Sequence, residues 1–346
     1  MADIRVALIG GGMIAPAHIR GAAAAEGVRL WAIADPSPAA KAVAEKAGVP
    51  WFADHRALLD RERPDAAIVA TPNVLHVPVA LDCVASGVPV LVEKPIADTV
   101  EDARRLSEAA QAVGVPLIVG HQRRHNPIIR RARQLIRDGV LGRLVSAAVL
   151  ATFLKPDRYF DTTWRCQPGG GPVLINLIHE IDMLRFLYGE IASIQSVTSN
   201  VVRGFEVEDT AAVVLRFANG ALGTITLSDT AASPWSWDLA AGENPVFFKP
   251  DVETHFFCGT EGSVTLPKLN LWRYPGARGW HEPIAASSIG IEPADPYAEQ
   301  LRHFAAVIRG SEEPVISGHD GMRTLQATQA VLEAARTRQP VTLTAD

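Results

Sequence analysis

The chain is poor in cysteine, in surplus basic charge and in long apolar runs. Three cysteines occur in 346 residues, Cys83, Cys166 and Cys258, scattered and with no CxxC pair. That excludes a disulfide framework and a cysteine-spaced zinc site, so no metal is expected. A formal net charge of -5 argues against a nucleic-acid partner, which calls for a basic face. No run of about 18 apolar residues free of charge occurs, so no membrane span is expected. The opening MADIRVALIG runs straight into a strand pattern with no charged stretch and apolar core before it, and a cytoplasmic location is expected. With 48% hydrophobic residues the chain can bury a large core, and its length suggests two domains.

What is present is a recurring punctuation. AGVPWF (47–52), SGVPVLV (86–92) and VGVPLIV (113–119) each place Gly, Val and Pro just before an apolar run, and EGVRLWAIAD (26–35) nearly repeats this. Gly27, Gly48, Gly87 and Gly114 are expected to end helices in the left-handed conformation, after which proline stops the helix and a strand begins. Amphipathic or alanine-rich segments alternate with the runs IRVALIG, RLWAIAD, AAIVATP, VLVEKP and LIVGH, the pattern of βαβ units and a parallel sheet. After about residue 122 the rhythm changes. One helix is expected at 126–139 and another at roughly 172–188, followed by alternating runs such as AAVVLRF and ALGTITL. Asn219-Gly220 between those two runs predicts a type I′ hairpin. The fold class is therefore α/β: a doubly wound parallel sheet of Rossmann type over 1–122, then an α+β domain over 123–346 with a mostly antiparallel sheet. Late helices near 296–309 and 319–337 close that second domain or pack back on the first.

ALIGGGMIAPAHI places Gly10, Gly12 and Ala15 in a G-x-G-x-x-A arrangement between the first strand and the first helix. Gly10 permits the tight turn, Gly12 lets the backbone approach a pyrophosphate, and Ala15 lets the helix pack closely. Met13 and Ile14 complete that turn and join the cofactor set. Asp35 ends the second strand, where a carboxylate accepts ribose hydroxyls and favours NAD over NADP; the plain alternative is a helix N-cap ahead of Pro36. Thr71, Pro72, Asn73 and His76 follow the fourth strand and either touch the cofactor or serve as turn and capping residues. Lys94 leaves the fifth strand at the same carboxyl edge, where an amine is either solvated or tuned by a neighbouring cofactor; it and Glu93 join the cofactor set, Glu93 having a structural role as its alternative. In the helix after Gly169–Gly171, read as a flexible lead-in, Asn176, His179 and Asp182 form a polar stripe. His179 is a general acid–base candidate, its alternative being a core histidine. Arg123, Trp164, Arg165 and Asn176 are candidate substrate contacts. Arg123 and Arg124 can meet a substrate carboxylate or make salt bridges between domains.

Together these residues resemble the Gfo/Idh/MocA oxidoreductase family, which includes inositol dehydrogenase-like and glucose–fructose oxidoreductase-like enzymes. The resemblance runs through the glycine turn, Asp35, ATPN with His76, EKP, the Trp164–Arg165 pair, the triple glycine and HEID. It implies a Rossmann domain, an open-faced sheet domain that makes a homodimer or homotetramer, and NAD(P)-dependent oxidation of a sugar, polyol or sugar-acid hydroxyl. It places Lys94 and His179 on the catalytic positions and implies a cis Lys94–Pro95 peptide. Where family members commonly carry an aspartate four residues before the histidine, this chain has Ile175. Some relatives are NAD(P)-responsive binding proteins or NAD-dependent glycoside-cleaving enzymes, so both remain open alternatives.

Overall fold

The computed structural model describes residues 2–344. Its packing divides the chain into two units: residues up to Asn126 with Ala294–Leu325, and Pro127–Pro293 with the residues from Gln326 on.

In the first unit the order is β1 (Ile4–Ile9), α1 (Ala15–Ala24), β2 (Val28–Ala34), α2 (Pro38–Ala47), β3 (Trp51–Phe52), α3 (His55–Glu62), β4 (Ala66–Val69), α4 (His76–Ala85), β5 (Val90–Glu93), α5 (Val100–Val113) and β6 (Leu117–Gly120). The six strands lie in the order β3-β2-β1-β4-β5-β6, and every neighbouring pair is parallel. Gly27, Gly48, Gly87 and Gly114 have φ between 67° and 75°; Gly48, Gly87 and Gly114 end α2, α4 and α5 as expected, whereas α1 ends in an extended Ala25 and Gly27 lies in the turn that follows. Helix starts are fixed locally: Ser37 accepts the Ala39 N–H, and Thr99 accepts the Asp102 N–H. Strands β4, β5 and β6 are buried at every residue, as a sheet covered on both faces requires. Leu8, Ile33, Ile68, Leu91 and Ile118 form this core, each side chain contributing roughly 1.5–3 kcal/mol.

The second unit runs α6 (Pro127–Arg137), β7 (Leu144–Thr152), α7 (Ile178–Tyr188), β8 (Ile191–Ser199), β9 (Thr210–Phe217), β10 (Leu222–Ser228), α8 (Trp237–Ala240), β11 (His255–Gly259), β12 (Ser263–Leu266), β13 (Asn270–Arg273) and β14 (Ala285–Ser288). Further along the chain come α9 (Pro296–Ile308), in the first unit, α10 (Gly318–Thr337), which begins in the first unit and ends in the second, and β15 (Val341–Thr342). Nine strands form one sheet in the order β14-β13-β12-β11-β7-β10-β9-β8-β15. All pairs are antiparallel except β7 with β10, which is parallel. Val149, Val213, Leu215, Ile225 and Phe257 point to a core shared with Ile181 and Leu184 of α7 and with Ala330 and Val331 of α10.

One expectation changes in detail, and one left open is decided. The β9–β10 hairpin forms, but Gly220 alone has positive φ (89°), so the turn is not type I′, which needs it at Asn219 as well. The Asn219 side chain explains the difference: its oxygen accepts the Ala221 N–H at 2.9 Å and its amide donates to the Tyr188 carbonyl at 2.8 Å. Of the two courses expected for the late helices, α9 takes the second and packs back on the first unit. There Leu301 and Phe304 enter the core and Ala298 packs beside Gly21 of α1.

Candidate functional site

At the carboxyl edge of the parallel sheet, Gly10 has φ of 113°, and a Cβ there would lie 2.3 Å from the Ala70 carbonyl oxygen. Only glycine fits. Gly12 has no atom within 4 Å of where its Cβ would be, so its backbone faces open space. Gly11, which the spacing argument passed over, is also constrained, since its Cβ would sit 2.5 Å from that of Ala40. Ala15 is fully buried, Ile14 is partly buried against the same core, and Met13 is exposed on the turn. The Asp35 carboxylate accepts the Gly11 N–H at 2.8 Å and the Ser37 N–H at 2.7 Å. The N-cap of α2 is Ser37, so Asp35 is left for the turn and for what lies beside it.

A cavity of about 420 Å3 opens here, lined among others by Gly10, Asp35, Pro36, Thr71 and Pro72. The Thr71 hydroxyl is buried and makes no hydrogen bond within the protein. A cradle that a Cβ would fill, a carboxylate at the end of β2 and an orphaned hydroxyl fit a dinucleotide. Sequence reading missed Asp54 and His55, which line the same cavity after the two-residue strand β3. The signal was there in the Asp-His pair at a strand-to-helix junction, because Asp54 caps α3 and His55 pairs with Asp82 at 2.8 Å.

Asn73 begins a short 3₁₀ turn that leads into α4. His76 turns inward: its Nδ1 is 2.7 Å from the Pro95 carbonyl and its Nε2 is 2.8 Å from the Thr71 carbonyl. Burial lowers its pKa, partly offset by those two carbonyls and by the charges of Glu93 and Asp98. Glu93 is 6% exposed, while Lys94 is half-buried and the Lys94–Pro95 peptide is cis. Burial alone would raise the Glu93 carboxyl, but the His18 bond, the charges of His18 and Lys94 and the Lys94 N–H hold it below its ordinary value. Arg123 and Arg124 are both buried in this unit. Arg124 donates to the Val315 carbonyl at 3.0 Å and pairs with Asp320 at 2.5 Å, both in the same unit.

In the second unit two of the three glycines are closely packed, while a Cβ on Gly169 would meet nothing within 4 Å. A Cβ on Gly170 would lie 2.2 Å from the Trp164 carbonyl oxygen, and one on Gly171 would lie 2.3 Å from the Glu208 carboxylate. Glu208 accepts the Val173 N–H at 2.9 Å, and burial raises its pKa. The expected helix then starts as a π-helical turn, Val173–Leu177, before α7. Such turns are rare and frequent at functional sites. This one carries Ile175 and Asn176. The Asn176 amide reaches Asp238 at 3.5 Å, and its carbonyl oxygen is buried with no hydrogen-bond partner. His179, in the first turn of α7, is 8% exposed, and Asp182 is buried. Trp164 is exposed, and the Arg165 guanidinium lies 3.9 Å from the Tyr159 ring centre and donates to the Tyr159 carbonyl at 2.6 Å. Nearby, Lys155 is buried and pairs with Asp229 at 3.2 Å, while Arg203 holds the other Asp229 oxygen at 3.1 Å. Burial lowers the Lys155 pKa; Asp229 and Asp238 oppose that shift and Arg203 adds to it. Among the described residues no group of His, Cys, Asp and Glu is arranged to hold a metal ion.

Residues 4–121 match the GFO/IDH/MocA oxidoreductase family, NAD-binding Rossmann fold, and residues 129–265 match the GFO/IDH/MocA C-terminal domain. The 1,5-anhydro-D-fructose reductase of Ensifer adhaerens is 31% identical over 80% of this chain and 78% of its own. The scyllo-inositol 2-dehydrogenase (NAD(+)) of Bacillus subtilis is 26% identical over 99% of this chain and 96% of its own. Among solved structures, the WlbA dehydrogenase of Bordetella pertussis, in complex with NADH and UDP-GlcNAcA, aligns with a TM-score of 0.79 at 26% identity, covering 99% of this chain and 100% of that one.

Proposed function

This chain belongs to the Gfo/Idh/MocA family of NAD-binding oxidoreductases, and on that premise we propose that it is a dehydrogenase for a secondary alcohol of a sugar, polyol or sugar acid, or its reverse. The observation that carries the reading is the cavity at the carboxyl edge of the parallel sheet, where Gly10, Asp35 and the orphaned Thr71 hydroxyl converge. Relatives named for anhydrofructose and scyllo-inositol support a polyhydroxylated substrate.

Nicotinamide, when bound, supplies the hydride chemistry. The chain supplies the rest. Lys94 hydrogen-bonds the reacting oxygen and stabilises developing charge, and His179 takes the hydroxyl proton. Asn176, held toward Asp238 by its amide, keeps a buried carbonyl oxygen available to a substrate hydroxyl. Arg123, Trp164 and Arg165 complete the proposed substrate set. We further propose a homodimer or homotetramer, formed through the face of the second sheet that carries exposed Val197, Val214, Leu222, Phe256 and Trp272. A cytoplasmic location accords with three cysteines that are all free thiols.

The test is a panel of myo-inositol, D-glucose and D-glucuronate with NAD+, read at the nicotinamide absorbance band. Net NADH formation with at least one compound is expected. Cleavage of a glycoside without net NADH, or ligand binding with no turnover at all, would overturn the dehydrogenase assignment.

A further inference from the structure

The backbone on either side of Lys94 is held by buried side chains from separate elements of the first unit. Glu93 divides its carboxylate between two partners. One oxygen is 2.8 Å from His18 Nε2 on α1, and the other accepts the Lys94 backbone N–H at 3.1 Å. On the far side, the Pro95 carbonyl is 2.7 Å from His76 Nδ1, while the opposite nitrogen of that ring faces the Thr71 carbonyl at 2.8 Å. A neutral imidazole donates to one of these carbonyls and an imidazolium to both.

A fold with no use for Glu93 would not place a carboxylate at the end of a buried parallel strand, where charge is costly unless paired. The neighbouring strand makes room for it. Gly120 pairs with Glu93 in the β5–β6 register, and a Cβ on Gly120 would lie 3.0 Å from the Glu93 carboxyl carbon. The partner His18 is fully buried, with the Tyr297 ring of α9 edge-on to it at 5.4 Å. His18 also belongs to the helix that begins just after the Gly10–Gly12 turn. The element that would meet the cofactor phosphates thus carries the residue that holds Glu93.

We infer that Glu93 is a positioning residue for Lys94, with His18 and His76 as its supports, so that the reach of the Lys94 amine is set before substrate arrives. This rests on the reading of Lys94 as the group that meets the reacting oxygen.

Two measurements test it. The first needs no substrate: hydrogen exchange at the Lys94 amide. Glu93→Gln weakens the acceptor and is expected to speed that exchange about tenfold or more, whereas unchanged exchange overturns the inference. The second is a cycle of Glu93→Gln and Lys94→Ala, using whichever panel compound is turned over fastest. Glu93→Gln is expected to lower kcat about 10- to 100-fold, with KM for NAD changed by less than about threefold. In the Lys94→Ala background the same change is expected to cost less than about twofold, because the residue it positions is gone. Equal losses in both backgrounds overturn the inference. Wild-type turnover in Lys94→Ala alone overturns instead the reading of Lys94. Should Glu93→Gln fold poorly, His18→Gln and His18→Leu replace it. The Gln amide still donates to Glu93 and should keep turnover, and Leu should lose it; equal loss in both variants counts against the proposal.

Discussion

Asp35 and Gly11 are joined directly: one carboxylate oxygen accepts the Gly11 N–H at 2.8 Å, tying the end of β2 to the glycine turn after β1. The other oxygen accepts the Ser37 N–H at 2.7 Å, so both are occupied once and each retains a lone pair for a ribose hydroxyl. Asp35→Ala removes both ties and the negative charge. NAD affinity should fall about 10- to 100-fold, the weight of one charge-assisted hydrogen bond. The NADP-to-NAD affinity ratio should rise, since a 2′-phosphate no longer meets a carboxylate. Calorimetric titration with both cofactors decides it; NADP binding as tight as NAD in the unaltered protein would refute the cofactor preference.

Gly10 and Gly12 should separate structure from binding. A Cβ at Gly10 would strike the Ala70 carbonyl at a positive-φ position, whereas one at Gly12 would meet nothing within 4 Å. Gly10→Ala is therefore expected to destabilise the fold by about 1–3 kcal/mol. Gly12→Ala should leave the melting temperature of the cofactor-free protein unchanged while weakening NAD. A Gly12→Ala protein that binds NAD normally would remove the pyrophosphate from that turn.

His179→Ala should lower kcat by about 10²- to 10⁴-fold, the usual contribution of a positioned acid–base group, with NAD affinity nearly unchanged. The contrary expectation is a histidine that only fills the core of its own unit: thermal stability would fall and the folded protein would keep its turnover. Measuring kcat per folded site together with the melting curve tells the two apart.

Lys155 gives stability a pH signature. Burial holds its folded pKa below the ordinary 10.5. Between the folded and unfolded values the unfolded chain binds more protons, so this residue's contribution to stability rises with pH across that window. Relative to Lys155→Met, the wild-type protein should gain stability as pH climbs from near neutral toward the ordinary lysine value. Denaturant titrations of both proteins at several pH values read this, and a flat difference would show that Lys155 is not desolvated.

The exposed sheet face predicts assembly. Val197 is 67% exposed and Val214 50%, on neighbouring strands and the same face. Light scattering at micromolar concentration should report a dimer or tetramer, and Val214→Lys with Leu222→Lys should shift the mass toward monomer. A monomeric wild-type protein would count against this use of the face.

The first unit was the more readable because its signals are local. Gly87 and Gly114 announce helix ends within a few residues, and the apolar runs after them form the buried strands β5 and β6. The second unit yielded its β9–β10 hairpin but not its sheet order, since β7 pairs in parallel with β10, Ser146 lying opposite Leu222. No local pattern encodes that pairing. The turn at Asn219 departed from its expected type because a side chain reached a carbonyl in another element. The π-helical turn at Ile175 and Asn176 left no mark in the periodicity, and the triple glycine read as slack where Gly170 and Gly171 are needed for close approach to Trp164 and Glu208. The His18–Glu93 pair spans 75 positions and was invisible for the same reason.

The first unit closes only when α9 arrives, since Leu301 and Phe304 complete a core begun by β1 and β2. During synthesis the ribosome must therefore make the whole of residues 127–293 before the cofactor-binding sheet receives its last covering helix. Until then Leu8, Ile33 and the neighbours they share with α9 lack part of their shelter, and the nascent chain presents apolar surface to whatever chaperone is at hand. A fragment stopped at Asn126 would inherit that exposure permanently. The unit that starts with β1 is thus finished only after the residues that separate its two segments have been made.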